Sequence, residues 1–142
     1  MSLFRHTISF RVRYSETDQM GTFYNSRALE WFECGRSELM RAMGIPYALC
    51  EEKGLFLPLV ESFVKYQGRA RYDDLLELTT SVSFEGRIKL RCDACIVHSN
   101  NRQAVASGHT IHAITNNAGK PMRPPEWFVR ALSGNSSPNE TT

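Results

Sequence analysis

The sequence predicts an α+β domain in which a curved antiparallel sheet of about five strands covers one long helix. Apolar residues recur at steps of three and four along residues 26–43, as on one face of a helix. They recur at every second position in residues 7–14 and across most of residues 55–114, as in strands. The predicted order is therefore strand, long helix, short helix and four strands, so the sheet must bury the apolar face of the helix.

The first strand is predicted from Thr7 to Tyr14, because apolar and polar residues alternate there. Residues 15–25 interrupt the alternation with small and polar residues and a glycine, so they are predicted to form a loop. The residues expected on the buried face of this strand are Ile8, Phe10, Val12 and Tyr14.

A long helix is predicted from Ser26 to about Met43, with Ser26 or Asn25 as its cap. Gly35 lies on its apolar face, where the missing side chain allows close approach to the sheet. Pro46 then suits the first turn of a short helix that ends at Gly54. The apolar face of the long helix comprises Ala28, Leu29, Trp31, Phe32, Leu39, Met40 and Met43.

Four strands follow the short helix. The segment from Leu55 to Tyr66 begins with apolar residues on both faces, which is typical of a strand covered on both sides. Residues 76–84 alternate cleanly between apolar and polar. Residues 90–96 and 104–114 are predicted to pair as a hairpin around a turn at residues 99–102.

We expect a single domain over residues 1–132 and a polar, disordered tail over residues 133–142. The 17 Lys and Arg residues nearly balance the 15 Asp and Glu residues, and a net charge of +2 does not favour nucleic acid as a partner. No apolar run approaches the ~20 residues of a membrane span, and the N-terminus lacks the apolar stretch of a secretory signal. We therefore expect a cytoplasmic protein without membrane contact.

Cys92 and Cys95 have the spacing of a redox or zinc pair. They are predicted to lie in a strand, however, where residues three apart point to opposite faces. No second pair of this kind is present to complete a metal site. We expect reduced structural thiols and no metal.

Residues 14–25 hold the densest group of chemically capable side chains, at the point where the first strand leads into the long helix. The Asp18 carboxylate is thereby placed near the free N–H groups of a helix start, which stabilise an oxyanion that develops on a carbonyl. Gly21 permits the backbone conformation that such a loop needs. An ordinary turn in which Asp18 accepts a hydrogen bond from its own loop explains the same residues without catalysis.

Two separated motifs carry a resemblance to a known family. The pattern R-Y-x-E-T-D-x-x-G-x-x-Y at residues 13–24, followed by W-F-E at residues 31–33, and the later A-R-Y-D-D-L-L-E at residues 70–77 resemble the 4-hydroxybenzoyl-CoA thioesterase family of hotdog-fold acyl-CoA thioesterases. The resemblance spans most of the chain, from residue 5 to residue 128. It implies a hotdog fold and a homodimer or homotetramer with acyl-CoA sites at the subunit interface.

The same resemblance implies roles for single residues. Asp18 matches the catalytic aspartate, Gly21 matches the loop glycine, and Tyr24 matches the residue whose backbone N–H polarises the thioester carbonyl. Asn25 stands where many acyl-CoA members have His, and its amide donates a hydrogen bond without acting as a base near neutral pH. Tyr24 and Asn25 together are therefore expected to form the oxyanion and positioning element.

Coenzyme A needs cations for its phosphates. Cations at exposed strand ends are also commonplace, and Arg71 has an alternative partner in Asp74, which would pin the loop. The four cations expected to contact CoA are Arg69, Arg71, Arg87 and Lys89.

The implied activity is hydrolysis of an acyl- or aroyl-CoA thioester to the free acid and CoA, with no cofactor. Asp18 either attacks the carbonyl carbon or draws a proton from the attacking water. The competing interpretation is a non-catalytic hotdog module that binds an acyl or aryl ligand. It is favoured by Asn25 and by Arg27, which stands where the family frequently has a tyrosine. A second hotdog branch carries its carboxylate on the helix and would nominate Glu30 or Glu33. Hydratase chemistry is disfavoured, because the paired Asp and His motif usual in such enzymes is missing.

Overall fold

The computed structural model describes residues 2–134, which contain three α-helices and one antiparallel sheet of five strands. The predicted α+β class is confirmed. A short 3-10 turn, Tyr14–Glu16, follows the first strand. The strands are β1 Phe4–Arg11, β2 Leu59–Tyr66, β3 Leu75–Glu85, β4 Lys89–His98 and β5 Ala104–Ala113. The helices are α1 Arg27–Ala42, α2 Tyr47–Glu52 and α3 Glu126–Leu132.

The strands lie in the order β1-β3-β4-β5-β2, so β1 and β2 form the two edges of the sheet. In the pairing of β1 with β3, Arg11 lies opposite Leu75 and Phe4 lies opposite Val82. The end of the sheet at Arg11 and Leu75 leads into the loop before α1, and we call it the loop end. The opposite end carries the turn between β3 and β4, at residues 86–88, and we call it the turn end.

Helix α1 packs across the sheet through the face that the sequence predicts. The residues predicted for that face are buried with one exception, Leu29, which is 39% exposed and was wrongly expected there. A Cβ added at Gly35 would lie 2.5 Å from Thr80 Oγ1 and 2.7 Å from Leu78 Cδ2. Gly35 therefore allows the helix to approach β3 closely, as predicted.

The first strand begins and ends three residues earlier than predicted. Its partly buried face is continued by Val12, which is buried, but Tyr14 is 78% exposed and belongs to the 3-10 turn. The backbone leaves the sheet after Arg11, because Val12 and Asp73 pair through their main chains instead. The prediction that Tyr14 lies on the buried face was wrong.

The expected covered strand from Leu55 to Tyr66 was also wrong. Leu55 and Leu57 are buried, but they precede the strand, and β2 itself begins at Leu59 and is exposed along almost all of its length. Its apolar residues lie at an edge that no other strand of residues 2–134 covers.

The last helix, α3, was missed by the sequence analysis. Phe128, Ala131 and Leu132 are buried in the same core cluster as the C-terminal half of α1. The Pro-Pro-Glu at residues 124–126 is a helix-start signal that could have revealed it. The remaining predicted strands are present as β3, β4 and β5. The expected hairpin is confirmed by the antiparallel pairing of β4 with β5.

Cys92 is buried and Cys95 is exposed, which confirms that they point to opposite faces of β4. No helix within residues 2–134 is both long enough and apolar enough to cross a membrane. Of the predicted tail, residues 135–142 lie outside the described residues.

Candidate active site

The loop between the 3-10 turn and α1 is held in a compact turn by its own backbone. The Asp18 N–H donates to the Thr22 carbonyl at 2.8 Å, and the Gly21 N–H donates to the Asp18 carbonyl at 3.0 Å. Gly21 has a φ of +84°, which a residue with a Cβ rarely adopts. The predicted need for glycine at this position is confirmed.

The Asp18 carboxylate is oriented by one hydrogen bond. The Met20 N–H donates to Asp18 Oδ1 at 2.8 Å, so Asp18 accepts a hydrogen bond from its own loop, as in an ordinary turn. Asp18 is only half-buried, and its Oδ2 accepts no hydrogen bond within residues 2–134. The turn therefore fixes the carboxylate and leaves one oxygen free to act on a ligand.

The start of α1 provides unpaired backbone donors next to this loop. Tyr24, which was expected to supply the oxyanion donor, gives its N–H to the Glu16 carbonyl at 2.8 Å. The N–H groups of Asn25 and Ser26 have no acceptor in the described part of the chain. The backbone donors free for a ligand are thus those of Asn25, which belongs to the predicted element, and of Ser26, which was not predicted.

The helix start is also tied to the edge strand. The Tyr66 hydroxyl donates to the Asn25 carbonyl at 2.8 Å. The ring of Phe23 lies 5.0 Å from that of Trp31 and 6.2 Å from that of Tyr66, measured between centroids. These contacts hold the Asn25 backbone between α1 and β2.

Glu16 is buried next to the Asp18 loop and holds it in place, although its position in the sequence does not indicate this role. Its side chain is 3% exposed and accepts hydrogen bonds from the Arg13 N–H at 2.7 Å and from Trp31 Nε1 at 2.9 Å. Burial alone raises the pKa of the Glu16 carboxyl, but these hydrogen bonds and the Arg13 guanidinium outweigh it and hold the pKa below its usual value. The position of Glu16 two residues before Asp18, in a polar loop, gives no sign of burial.

The two motifs that carry the resemblance meet in the structure. The Phe23 N–H donates to the Ala70 carbonyl at 2.9 Å, and the Ala70 N–H donates to Thr22 Oγ1 at 3.1 Å. The Arg71 backbone N–H, and not its guanidinium, donates to Asp74 Oδ2 at 2.8 Å. The pinning of the loop through Arg71 and Asp74 is confirmed in that form, and the Asp18 loop rests on residues 70–74.

The four expected CoA-binding cations lie at opposite ends of the molecule. Arg69 and Arg71 are exposed on the loop that contacts the Asp18 loop. Arg87 and Lys89 lie at the turn end, because Lys89 pairs with the last residue of β3. The 11 residues of β3 span about 33 Å at about 3.3 Å per residue, so a single chain does not bring the two pairs together.

The alternative acids on α1 occupy other surroundings. Glu30 is exposed and paired with Arg27, with 2.9 Å between Arg27 Nη1 and Glu30 Oε1. Glu33 is exposed beside a cavity under the second half of α1. Neither contacts the Asp18 loop through a hydrogen bond within residues 2–134.

Two of the histidines lie on opposite faces of β5. His112 is buried and His109 points to the other face of β5, where it lies 3.0 Å from Glu61 Oε2. His98 Nδ1 lies 4.0 Å from Asp74 Oδ2, and His98 Nε2 is 2.7 Å from the Arg69 carbonyl. His98 therefore supports the loop at residues 69–74.

Comparisons with known proteins agree with these observations. The profile of the thioesterase-like superfamily matches residues 12–132. Over 101 residues, 70% of this chain and 73% of the relative, the chain is 31% identical to the acyl-CoA thioester hydrolase YbgC of Escherichia coli O6:H1. It is 40% identical to YneP of Bacillus subtilis over 63 residues, which is 44% of this chain and less than half, 46%, of that relative. A solved protein of Aquifex aeolicus superimposes with a TM-score of 0.82 at 27% identity, covering 89% of this chain and 98% of that one.

Proposed function

Since the chain belongs to the thioesterase-like superfamily and has its hotdog fold, we propose that it hydrolyses acyl-CoA thioesters to the free acid and CoA. The name of the E. coli relative supports this reaction. The observation that carries the proposal is the free Oδ2 of Asp18 in the loop that leads to the unpaired N–H groups of Asn25 and Ser26. Membership of the narrower 4-hydroxybenzoyl-CoA branch stays a prediction, because the matching profile is that of the wider superfamily.

Asp18 and the helix start divide the chemistry between them. The N–H groups of Asn25 and Ser26 stabilise the negative charge that forms on the thioester oxygen, helped by the positive end of α1. In one route Asp18 takes a proton from a water molecule as that water attacks the carbonyl carbon. In the other, Asp18 attacks the carbonyl carbon itself, and water then cleaves the resulting anhydride.

Both routes end with cleavage of the C–S bond and departure of the CoA thiolate. A thiol pKa of about 8.5 makes the thiolate a good leaving group, so no histidine acid is required. The carboxylate, the water and the backbone donors account for every proton and electron pair. We therefore propose that the reaction needs no cofactor beyond the CoA of the substrate.

We propose that two chains pair through β2. This edge strand exposes Leu59, Val60, Phe63 and Tyr66 by 50–58%, and an exposed apolar edge is a surface on which another strand pairs. Light scattering after gel filtration is expected to give the mass of a homodimer or homotetramer, and Val60→Lys is expected to lower it. Val129→Lys on α3, equally a charge placed on an exposed apolar residue, is the control and should leave the mass unchanged. A monomer in the wild-type sample would contradict the pairing.

Pairing two β2 strands antiparallel about a two-fold axis would reverse the second sheet. The turn end of one subunit would then lie beside the loop end of the other. Under this arrangement, Arg69 and Arg71 share one CoA site with Arg87 of the partner subunit and Lys89 of the partner subunit. Their separation within one chain is thus compatible with a common role in binding phosphate.

The proposal is tested by release of free thiol from a panel of short, long and aromatic acyl-CoAs. Asp18→Asn should lower turnover at least ~100-fold and leave the thermal unfolding midpoint nearly unchanged, because Asn retains the turn. Glu30→Gln is the matched control: it neutralises the acid that the other hotdog branch would use, and it should retain most activity. Retained hydrolysis in Asp18→Asn would refute the assignment of Asp18. If the wild-type protein binds these thioesters saturably and releases thiol from none of them, the ligand-binding module would be favoured instead.

A further inference from the structure

A cavity of about 140 Å³ lies between the second half of α1 and the sheet. Its walls are largely apolar, with Met40, Leu57 and Leu90 among them. Leu59, the first residue of the edge strand, also lines the cavity and is 58% exposed. A cavity of ~150 Å³ with apolar walls holds a benzene molecule. This cavity therefore has room for a group of about five or six carbon atoms.

Arg36 brings an uncompensated charge into this cavity. No Asp or Glu of residues 2–134 forms an ion pair with it. Of the five N–H donors of its guanidinium, one has an acceptor among residues 2–134, Thr110 Oγ1 at 3.3 Å. Arg36 is half-buried and lines the cavity, so its remaining donors are available to an anion that enters there.

The hydrogen bonds around Arg36 run in one direction. His112 Nδ1 is 3.1 Å from the Leu57 carbonyl, which only accepts, so Nδ1 carries the proton. Burial and the Arg36 charge lower the pKa of His112 to about 4, so His112 Nε2 is an acceptor for the Thr110 hydroxyl at 3.0 Å. Thr110 thus donates to His112 and accepts from Arg36, which fixes the guanidinium at the wall of the cavity.

The other titratable groups that face the cavity do not neutralise Arg36. Burial raises the pKa of the Cys92 thiol to about 12, and burial likewise raises the pKa of Tyr47, whose hydroxyl donates to the Leu57 carbonyl at 3.2 Å. Glu33 lies at the exposed rim and forms no ion pair within residues 2–134. Of the two charged groups that line the cavity, Glu33 is exposed and Arg36 is half-buried, so the more buried charge is the cation.

We propose that Arg36 selects acyl groups that end in a carboxylate, so that the preferred substrates are short dicarboxylic acyl-CoAs. A carboxylate matches the planar donors of a guanidinium with two parallel hydrogen bonds, which an alkyl terminus does not provide. The size of the cavity sets the length at about five or six carbons. This inference rests on the proposed thioesterase function and adds the acyl specificity.

The acyl group reaches Arg36 across the proposed subunit interface. Asn25, just before α1, and Arg36 are 11 residue steps apart, or about 16 Å at the helical rise, which is too far for a short acyl group within one chain. Antiparallel pairing of two β2 strands places the Tyr66 end of one strand at the Leu59 end of the other. Since the exposed Leu59 lines the cavity, an acyl group held by Asp18 enters from that end and reaches Arg36 of the partner subunit.

The test compares glutaryl-CoA with hexanoyl-CoA, which match in length and differ in the terminal carboxylate. Wild-type protein is expected to show a kcat/KM about 10-fold or more higher for glutaryl-CoA. Arg36→Met keeps an unbranched side chain without donors, and it should lower the glutaryl-to-hexanoyl ratio about 10- to 100-fold, the usual effect of losing a charge-assisted hydrogen bond. Arg36→Lys should retain part of the preference. Arg41→Met, on the exposed face of α1, is the matched control and should leave the ratio unchanged.

Equal rates for the two thioesters in wild-type protein would overturn the proposal, even if Arg36→Met failed to fold. A ratio that is unchanged in Arg36→Met would also overturn it, because a purely structural role lowers both rates together. If the protein does not hydrolyse the two thioesters, calorimetry measures their Kd values, and the ratio of these values tests the preference for the carboxylate. Failure of the thioesterase assignment, seen as no hydrolysis, is thereby separated from failure of the assignment of Arg36.

Discussion

The substitution Glu16→Gln tests whether the buried carboxylate holds the Asp18 loop. The carboxylate accepts from the Arg13 N–H, the Arg13 guanidinium and Trp31 Nε1 at 2.7, 3.2 and 2.9 Å. In a glutamine only the amide oxygen accepts hydrogen bonds. Its NH2 group would therefore face a donor that the second carboxylate oxygen satisfies in the wild-type protein. One hydrogen bond to a charged acceptor is lost, at about 1.5–3 kcal/mol, and a buried donor is left unpaired, at about 1–3 kcal/mol. We expect a loss of about 3 kcal/mol in the free energy of unfolding.

Urea unfolding at pH 7, followed by circular dichroism at a fixed protein concentration, measures this loss as a shift of the midpoint. Glu38→Gln is the control, because it neutralises a carboxylate in the exposed pair with Arg41, which contributes at most about 0.5 kcal/mol. A Glu16→Gln midpoint as close to wild type as that of the control would refute the reasoning.

The difference between wild type and Glu16→Gln also depends on pH. The pKa of Glu16 is lower in the folded protein than its ordinary value of 4.5, so its stabilising contribution is complete above pH 4.5. It is lost as the pH falls through the folded pKa. The difference in the free energy of unfolding between wild type and Glu16→Gln should therefore decrease progressively below pH 4.5. A difference that stays constant would contradict the assignment of a buried, ionised carboxylate.

Three further substitutions test other parts of the fold and site. Gly35→Ala should lower the free energy of unfolding by about 1–2 kcal/mol despite its better helix propensity, because its Cβ would meet Thr80 Oγ1 at 2.5 Å; urea unfolding measures the loss, and a gain would contradict it. Tyr66→Phe removes the donor to the Asn25 carbonyl and should lower kcat about 5-fold, with a change in unfolding free energy below about 1 kcal/mol. With its pKa lowered to about 4, His112 stays neutral while the unfolded chain takes up a proton below pH 6.5, so wild type should lose up to about 3 kcal/mol between pH 6.5 and 4. His112→Gln should lose less over that range, measured by urea unfolding at both pH values.

Local patterns in the sequence were sufficient for the elements whose neighbours are nearby in the chain. The apolar face of α1, the role of Gly35 and the hairpin of β4 and β5 follow from periods of 3.6 and 2 residues and from turn chemistry. The Asp18 loop was recognisable because Asp18, Gly21 and the helix start lie within ten residues of one another. These properties depend on backbone geometry within a few turns or a single strand pair.

Tertiary structure alone decided which groups meet and which surfaces stay open. An apolar run such as the one before Tyr66 looks the same in a covered strand and in an edge strand, and the order of strands in the sheet distinguishes them. Glu16 is buried against Trp31, and Arg36 contacts Thr110 at the cavity wall. In both cases the surroundings come from segments that are distant in the sequence. The sequence by itself determined the fold class and the candidate aspartate, because these follow from local periodicity and motif spacing. Long-range packing determined the environment of each charge, because burial depends on residues that are far apart along the chain.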